Sequence, residues 1–196
     1  NNIIFKNEFL RKIIHIFNSF IPLSLLFINK FIVIYFLAPT TFIFILFDFL
    51  RHRFKKINSF YLYFFNRVTR KNEKSNNVLT GASYYLLGCL IVITLFSNIY
   101  ICICSLLIMT ISDSFAAIIG LRYGKTKLYK KKSLEGSTAF FITSVAIIIF
   151  FLPSLKIISI FIIAFSATLA ELFASHRIND NLIVPLVASI LSSILL

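Results

Sequence analysis

Residues 111–137, ISDSFAAIIGLRYGKTKLYKKKSLEGS, join the end of an apolar segment to a basic loop. Asp113 lies in the apolar part, where a charged group is costly and rarely occurs without a function. Gly120 and Gly124 allow a ligand to approach the backbone closely. The lysines and arginine that follow are suited to phosphate oxygens. The stretch therefore predicts a site for a metal ion and nucleotide phosphates at a membrane surface.

Residues 120–126, GLRYGKT, look like the phosphate-binding loop of nucleotide hydrolases. That motif needs four residues between its glycines and follows a strand. Here three residues separate the glycines, and the apolar residues before Gly120 predict a helix. We therefore assign no loop of that type.

The composition indicates a membrane protein. The chain has 196 residues, of which 59% are hydrophobic, and its mean hydropathy is +0.91, whereas soluble domains are about 45–50% apolar. We predict a single all-α domain over residues 1–196, a bundle of transmembrane helices. The net charge of +13 arises from basic residues between apolar runs, so we expect membrane lipids and a phosphorylated substrate as partners and no nucleic acid. The three cysteines lie in apolar runs and indicate no disulfide framework.

Seven apolar segments are long enough, or nearly so, to cross a bilayer as helices. They are residues 13–29, 31–50, 78–97, 99–121, 138–155, 157–175 and 181–196. With the N-terminus inside, nearly all of the 20 Lys and Arg residues fall on the cytoplasmic side. This topology predicts that polar groups from several helices meet at the cytoplasmic face. They are His15, Asp48, Thr80, Asp113, Glu171 and Asp180.

Several motifs together resemble the family of CTP-dependent membrane lipid kinases, which includes yeast-type diacylglycerol kinase, dolichol kinase and phytol kinase. The motifs are Arg11-Lys12-Ile13-Ile14-His15, Thr80-Gly81-Ala82-Ser83-Tyr84, Asp113-Ser114-Phe115-Ala116-Ala117-Ile118-Ile119-Gly120, Lys131-Lys132-Ser133-Leu134-Glu135-Gly136-Ser137, Ala170-Glu171 and Asp180-Asn181-Leu182. The resemblance extends over nearly the whole chain in order. One departure is Asn179, where the family usually has a second aspartate, so a carboxylate pair is not expected there.

The resemblance implies transfer of the γ-phosphoryl group of CTP to the hydroxyl of a lipid alcohol. Such a reaction needs charge neutralisation on the phosphates and an aligned alcohol. Asp113 and Glu171 are expected to bind Mg²⁺ or another divalent cation, and Asp113, Glu171 and Asp180 to be the catalytic carboxylates. The nucleotide is expected to contact Arg11, Lys12, Gly120, Arg122, Gly124, Lys125, Lys131, Lys132, Ser133, Glu135 and Gly136. Diacylglycerol, a polyprenol such as dolichol, and phytol are all compatible acceptors.

Two other functions are weighed against the kinase. A phosphatidate cytidylyltransferase also uses CTP, but its C-terminal Lys-Asp and Gly-Gly-x-x-Asp-Arg-x-Asp pattern is not matched by Arg177-Ile178-Asn179-Asp180-Asn181. A small ion-coupled transporter would use Asp113 and Glu171 as coupling groups. Acids near the bilayer midplane and an internal repeat would be expected of it, and neither is evident in this sequence.

Overall fold

The computed structural model describes residues 2–65, 69, 79–130, 132–174 and 179–196. Nearly all of these residues are helical, which confirms the predicted all-α class. The helices are α1 (Asn2–Phe17), α2 (Phe20–Ser24), α3 (Lys30–Arg53), α4 (Lys55–Phe65), α5 (Gly81–Leu95), α6 (Ile99–Leu107), α7 (Asp113–Tyr123), α8 (Leu134–Phe151), α9 (Ile157–Phe173) and α10 (Asp180–Leu195). A short antiparallel hairpin of β1 (Lys127–Tyr129) and β2 (Lys132–Ser133) joins α7 to α8.

Three helices are long and apolar enough to span a bilayer. They are Lys30–Arg53, the continuous Ile99–Tyr123 and Leu134–Phe151, with mean hydropathies of 2.1, 2.0 and 1.9. Helices α5, α9 and α10 are equally apolar in character but shorter. Apart from the first, every predicted segment coincides with a helix to within a few residues.

The predicted first segment, residues 13–29, is not one helix, and that prediction is wrong. Helix α1 ends at Phe17, and α2 begins at Phe20. Pro22 lies in the first turn of α2, where its missing N–H needs no acceptor. The break is stabilised by one buried and one partly buried hydrogen bond. Ser19 Oγ donates to Thr110 Oγ1 at 2.8 Å, and Tyr85 OH donates to the main-chain oxygen of Asn18 at 2.7 Å.

Helix α6 forms the centre of the bundle. Cys102, Ile103, Cys104 and Leu106 have no exposed surface, because α6 packs against α2, α5, α8 and α10. All three cysteines are buried free thiols. The segment that follows α6, Ile108–Ser112, therefore also lies in the interior of the protein.

A π-helical turn, Ile108–Ser112, separates α6 from α7. Such turns insert a residue into a helix and change the direction in which the following side chains point, often at functional sites. Ser144 Oγ of α8 donates to Ser112 Oγ at 3.1 Å in the buried interior. Asp113 follows directly as the first residue of α7, which packs against α1 and α8. The turn thus sets the position of the acid that the sequence singled out.

Candidate functional site

Asp113 forms a buried ion pair with Lys12. Lys12 Nζ of α1 donates to Asp113 Oδ2, and the two residues are only 2% and 7% exposed. His15 lies three residues after Lys12 and therefore on the same face of α1. Its Nε2 is 3.6 Å from the same carboxylate oxygen. Two side chains of α1 therefore face the Asp113 carboxylate, and Lys12 is the one that forms the ion pair.

His15 also connects this pair to two further helices. Its Nε2 is 3.0 Å from Asn181 Oδ1, and Asn181 Nδ2 donates to the main-chain oxygen of Gly81 at 2.9 Å. The amide oxygen of Asn181 can only accept a hydrogen bond, so His15 Nε2 must carry the proton. Helices α1, α5 and α10 are thereby fixed around Asp113.

A second ion pair joins Lys132 to Glu171. Lys132 Nζ of the hairpin is 2.6 Å from Glu171 Oε1 and also donates to the main-chain oxygen of Glu171. That carbonyl lies in the last turn of α9, where it also accepts from Ala174 N at 3.2 Å, and carbonyl groups at the C-terminus of a helix attract cations. The Tyr129 ring contacts the Phe173 ring at 5.6 Å, so the hairpin folds over the end of α9.

The two ion pairs belong to one cluster. Asp113 and Glu171 are close enough for their charges to interact, and Lys132 also acts on Asp113. Asp180, at the start of α10, acts on both His15 and Glu171. Asn179 is the residue that differs from the aspartate usual in the family. Its side chain caps α10 by accepting from Asn181 N at 3.0 Å, so it has a structural function. Side chains from four helices and the hairpin thus converge here, whereas Asp48 and Thr80, which the sequence placed in the same group, bond to each other instead.

The other predicted basic residues are placed differently. Arg11 pairs with Glu8 on its own helix at 2.7 Å. Arg122 lies over the Tyr123 ring, 5.3 Å from its centroid, and Lys125 is exposed. Lys131 falls outside the described residues. Contacts of these four residues with phosphate remain predictions.

The three predicted glycines bring α7 and α8 into close contact. A Cβ atom at Gly136 would lie 2.9 Å from the Ala116 oxygen, and Cβ atoms at Gly120 and Gly124 would lie 3.1 and 2.6 Å from Ser133 Oγ. The N–H groups of Gly124 and Gly136 already donate to Gly120 O and Ser133 Oγ. The structure therefore gives these glycines a packing function, and their contacts with phosphate remain a prediction.

Ser133 and Glu135 shape the ends of the hairpin. Ser133 is the N-cap of α8, because its Oγ accepts from Gly136 N at 3.2 Å. Glu135 Oε1 accepts from the main-chain N–H groups of Lys125 and Thr126 at 3.0 and 3.2 Å. These bonds fix the turn that returns the chain from α7 to the cluster. Direct binding of a nucleotide by either side chain stays a prediction.

Asp48 is a buried residue whose importance the sequence did not reveal. Its Oδ2 accepts from Thr80 N at 2.7 Å, from Thr80 Oγ1 at 2.9 Å and from Ser83 Oγ at 2.6 Å, and its Oδ1 accepts from Arg51 Nε at 2.8 Å. A carboxylate at a helix N-terminus is favoured by the helix dipole. Asp48 therefore fixes the start of α5, whose Gly81 holds Asn181. The available signal was an acid near the end of α3 together with the hydroxyls of residues 80–83.

The cluster fits a metal ion only in part. Within the described residues, no group of three or more His, Cys, Asp or Glu side chains is placed to hold a metal. Mg²⁺, however, is usually bound by one or two carboxylates together with phosphate oxygens and water. Asp113 and Glu171 therefore fit a cation that shares its ligands with a phosphorylated substrate, and they do not fit a site made of protein alone.

The fold and the cluster define a helical membrane protein with a buried polar centre at one end of its bundle. The chain is 34% identical over 182 residues to an uncharacterized protein of Rickettsia prowazekii, covering 90% of this chain and 88% of that protein. It therefore belongs to the same family as the rickettsial protein. No family model matches the chain, and no solved structure matches it.

Plant proteins named "Probable phytol kinase, chloroplastic" are also similar. The chain is 32% identical over 150 residues to that of Triticum aestivum and 33% identical over 144 residues to that of Zea mays, each match covering 65% of this chain. The matches cover 48% and 47% of the plant proteins. The chain thus spans about half the length of the phytol kinases to which it is related.

Proposed function

We propose that this protein transfers the γ-phosphoryl group of a nucleoside triphosphate, CTP, to the hydroxyl of a membrane lipid alcohol. The observation that carries the proposal is the cluster of the Lys12–Asp113 and Lys132–Glu171 pairs at one end of an apolar bundle. Buried acids and lysines side by side suit a reaction in which charge on phosphate must be neutralised. The similarity to phytol kinases supports the same class of reaction, with a long-chain isoprenoid alcohol as the first acceptor to test.

The chain's own residues divide the work. Lys12 and Lys132 neutralise charge on the phosphates, and Arg122 and Lys125 of the basic loop add to this. Arg11 contributes from α1. Asp113 and Glu171 would hold a divalent cation, Mg²⁺, which when bound supplies charge neutralisation and orients phosphate oxygens.

The acceptor hydroxyl must lose its proton as the phosphoryl group is transferred. A carboxylate within hydrogen-bond reach of the hydroxyl can take that proton. Asp180 is the first candidate, because it is the first residue of α10 and its charge acts on both His15 and Glu171. We assign it the role of general base, with Glu171 as the second candidate.

Seven membrane crossings are part of the proposal, with the N-terminus and the cluster on the cytoplasmic side. Helices α1 and α2 together would make the first crossing. Two contacts support it: Lys30 Nζ donates to Phe96 O at 2.7 Å, and Leu26 lines one groove with Asn98 and Leu152. Phe96 and Asn98 follow the end of α5 that lies away from Thr80. The contacts of Lys30 and Leu26 there support a first crossing that is complete by Leu26.

Labelling with a membrane-impermeant maleimide tests this topology. Single cysteines would replace Lys127, in the hairpin, and Lys156, before α9. The native cysteines are buried, so the parent protein is the background control. We expect reagent added outside intact cells to label position 156 and to reach position 127 only after lysis. The reverse pattern would contradict the proposed orientation.

The reaction is tested by measuring which phosphorus atom of labelled CTP is transferred to the lipid. Purified protein would be given Mg²⁺, a lipid alcohol and CTP labelled at either the γ or the α phosphorus. We expect γ-label, and no α-label, in the lipid fraction. Label from the α position appearing in lipid, only when phosphatidate is supplied, would instead identify a cytidylyltransferase. Competition by unlabelled ATP and GTP would establish which base the site prefers.

A further inference from the structure

Each carboxylate that fits a divalent cation already carries a lysine. Lys12 Nζ contacts Asp113 Oδ2, and Lys132 Nζ contacts Glu171 Oε1. We propose that the cation and the triphosphate bind only together, because the triphosphate must draw both lysines away from the carboxylates before a cation can occupy them. This inference rests on the proposed function and adds to it an obligatory coupling between the two ligands.

Burial makes the lysines a barrier to a cation that arrives alone. Lys12, Asp113 and Glu171 are 2%, 7% and 6% exposed. In such surroundings charges interact strongly, and a buried charge that loses its partner is costly. A cation bound to Asp113 beside Lys12 would either be repelled by the ammonium group or leave that group without a counter-charge. The cluster is close to neutral as it stands and gains nothing from two further positive charges.

A triphosphate removes this barrier because it supplies two things at once. Its oxygens complete the coordination of a cation that has only one or two protein carboxylates. They also accept the hydrogen bonds of the displaced lysines, whose long flexible stems can turn from carboxylate to phosphate. Without a cation, the same triphosphate would face the negative charges of Asp113 and Glu171. Each ligand therefore raises the affinity of the other, and by the same factor.

The two lysines differ in how readily they can move. The side chain of Lys132 is 26% exposed and lies on the hairpin, whereas that of Lys12 is 3% exposed within the bundle. Lys132 can leave Glu171 without disturbing the packing. Its removal should therefore change cation binding without unfolding the protein, which makes Lys132→Met the more secure variant.

The test uses Mn²⁺, which takes the same oxygen ligands and is detected by electron paramagnetic resonance. The full chain in detergent would be titrated with Mn²⁺ alone. We expect the wild type to leave the signal of free Mn²⁺ unchanged. Lys132→Met and Lys12→Met should bind Mn²⁺ without nucleotide, with a Kd about tenfold or more below that of the control, a usual size for linked ligands. The control is Lys156→Met, an exposed lysine before α9 that touches neither acid.

A second titration measures the coupling directly. Binding of labelled β,γ-methylene-CTP would be followed with and without Mn²⁺. We expect Mn²⁺ to raise the affinity of the wild type about tenfold or more, and to raise that of Lys132→Met by a smaller factor. Wild-type protein that binds Mn²⁺ equally well alone, or lysine variants that behave like Lys156→Met, would overturn the inference.

Two results with the analogue distinguish the coupling from the kinase reaction. Binding of the analogue that does not depend on Mn²⁺ would contradict the coupling and leave the kinase proposal intact. No binding of the analogue under any condition would contradict the proposed function and the coupling with it.

Discussion

Asp113→Asn is expected to abolish turnover and to destabilise the protein at the same time. The amide removes a charged ligand from the proposed reaction centre, and loss of such a group lowers kcat by about a hundredfold or more. It also leaves Lys12, which is 2% exposed, without its counter-charge. Removing one partner of a buried ion pair costs about 3–5 kcal/mol. Activity with a lipid alcohol and thermal unfolding in detergent would be measured together.

The double variant Lys12→Met/Asp113→Asn separates the two effects. With both charges gone, no buried charge is left without a partner, and burying a neutral amide costs much less than burying an unpaired charge. We expect the unfolding temperature to return towards that of the wild type while activity stays lost. Recovery of activity in the double variant, or near wild-type turnover in Asp113→Asn, would show that Asp113 is only a partner of Lys12.

The expected loss of stability depends on a contact that the sequence alone does not reveal. From the sequence, Asp113→Asn should leave stability unchanged or higher, since an amide is easier to bury than a carboxylate. The structure reverses that expectation because Lys12, 101 residues away in the chain, lies against the acid. The sequence shows that a charge is present at membrane depth, but its partner depends on how α1 packs against α7.

Local pattern predicted most of the helices. Long apolar runs such as residues 31–50 and 99–121 must form helices in a bilayer, because every backbone polar group needs an internal partner. The motifs around Asp113 and Lys132 likewise indicated the cluster. The positions of these residues along their helices predicted that the polar side chains lie at one end of the bundle.

The irregular features depended on tertiary contacts. The break between α1 and α2 is stabilised by Thr110 and Tyr85, far from it in sequence. The π turn at Ile108–Ser112 has no residue type that marks it. The partners of Asp48 at the start of α5, Thr80 and Ser83, are 32 and 35 residues away in the chain. Pro22 is a sequence signal for a new helix that begins within residues 13–29, since proline commonly occupies the first turn of a helix.

Glu171→Gln is expected to lower activity about as strongly as Asp113→Asn, by about a hundredfold or more, but with a smaller loss of stability. The difference arises from the lysine on each acid. Lys132 keeps the main-chain oxygen of Glu171 as an acceptor and is a quarter exposed, so water can serve it as well. Lys12, by contrast, is buried, so water cannot replace the carboxylate of Asp113 as its partner.

The matched control is Glu8→Gln, which removes an acid from the partly exposed pair with Arg11 and leaves the charge of Arg11 in place. An exposed pair of this kind contributes about 0–1 kcal/mol, so we expect activity and unfolding temperature close to those of the wild type. Glu171→Asp provides the other comparison, since it keeps the charge and shortens the side chain. If charge at the reaction centre is what Glu171 provides, the aspartate variant must retain more activity than the glutamine variant. Equal activities in Glu171→Gln and Glu8→Gln would instead mean that Glu171 serves only to anchor the hairpin through Lys132.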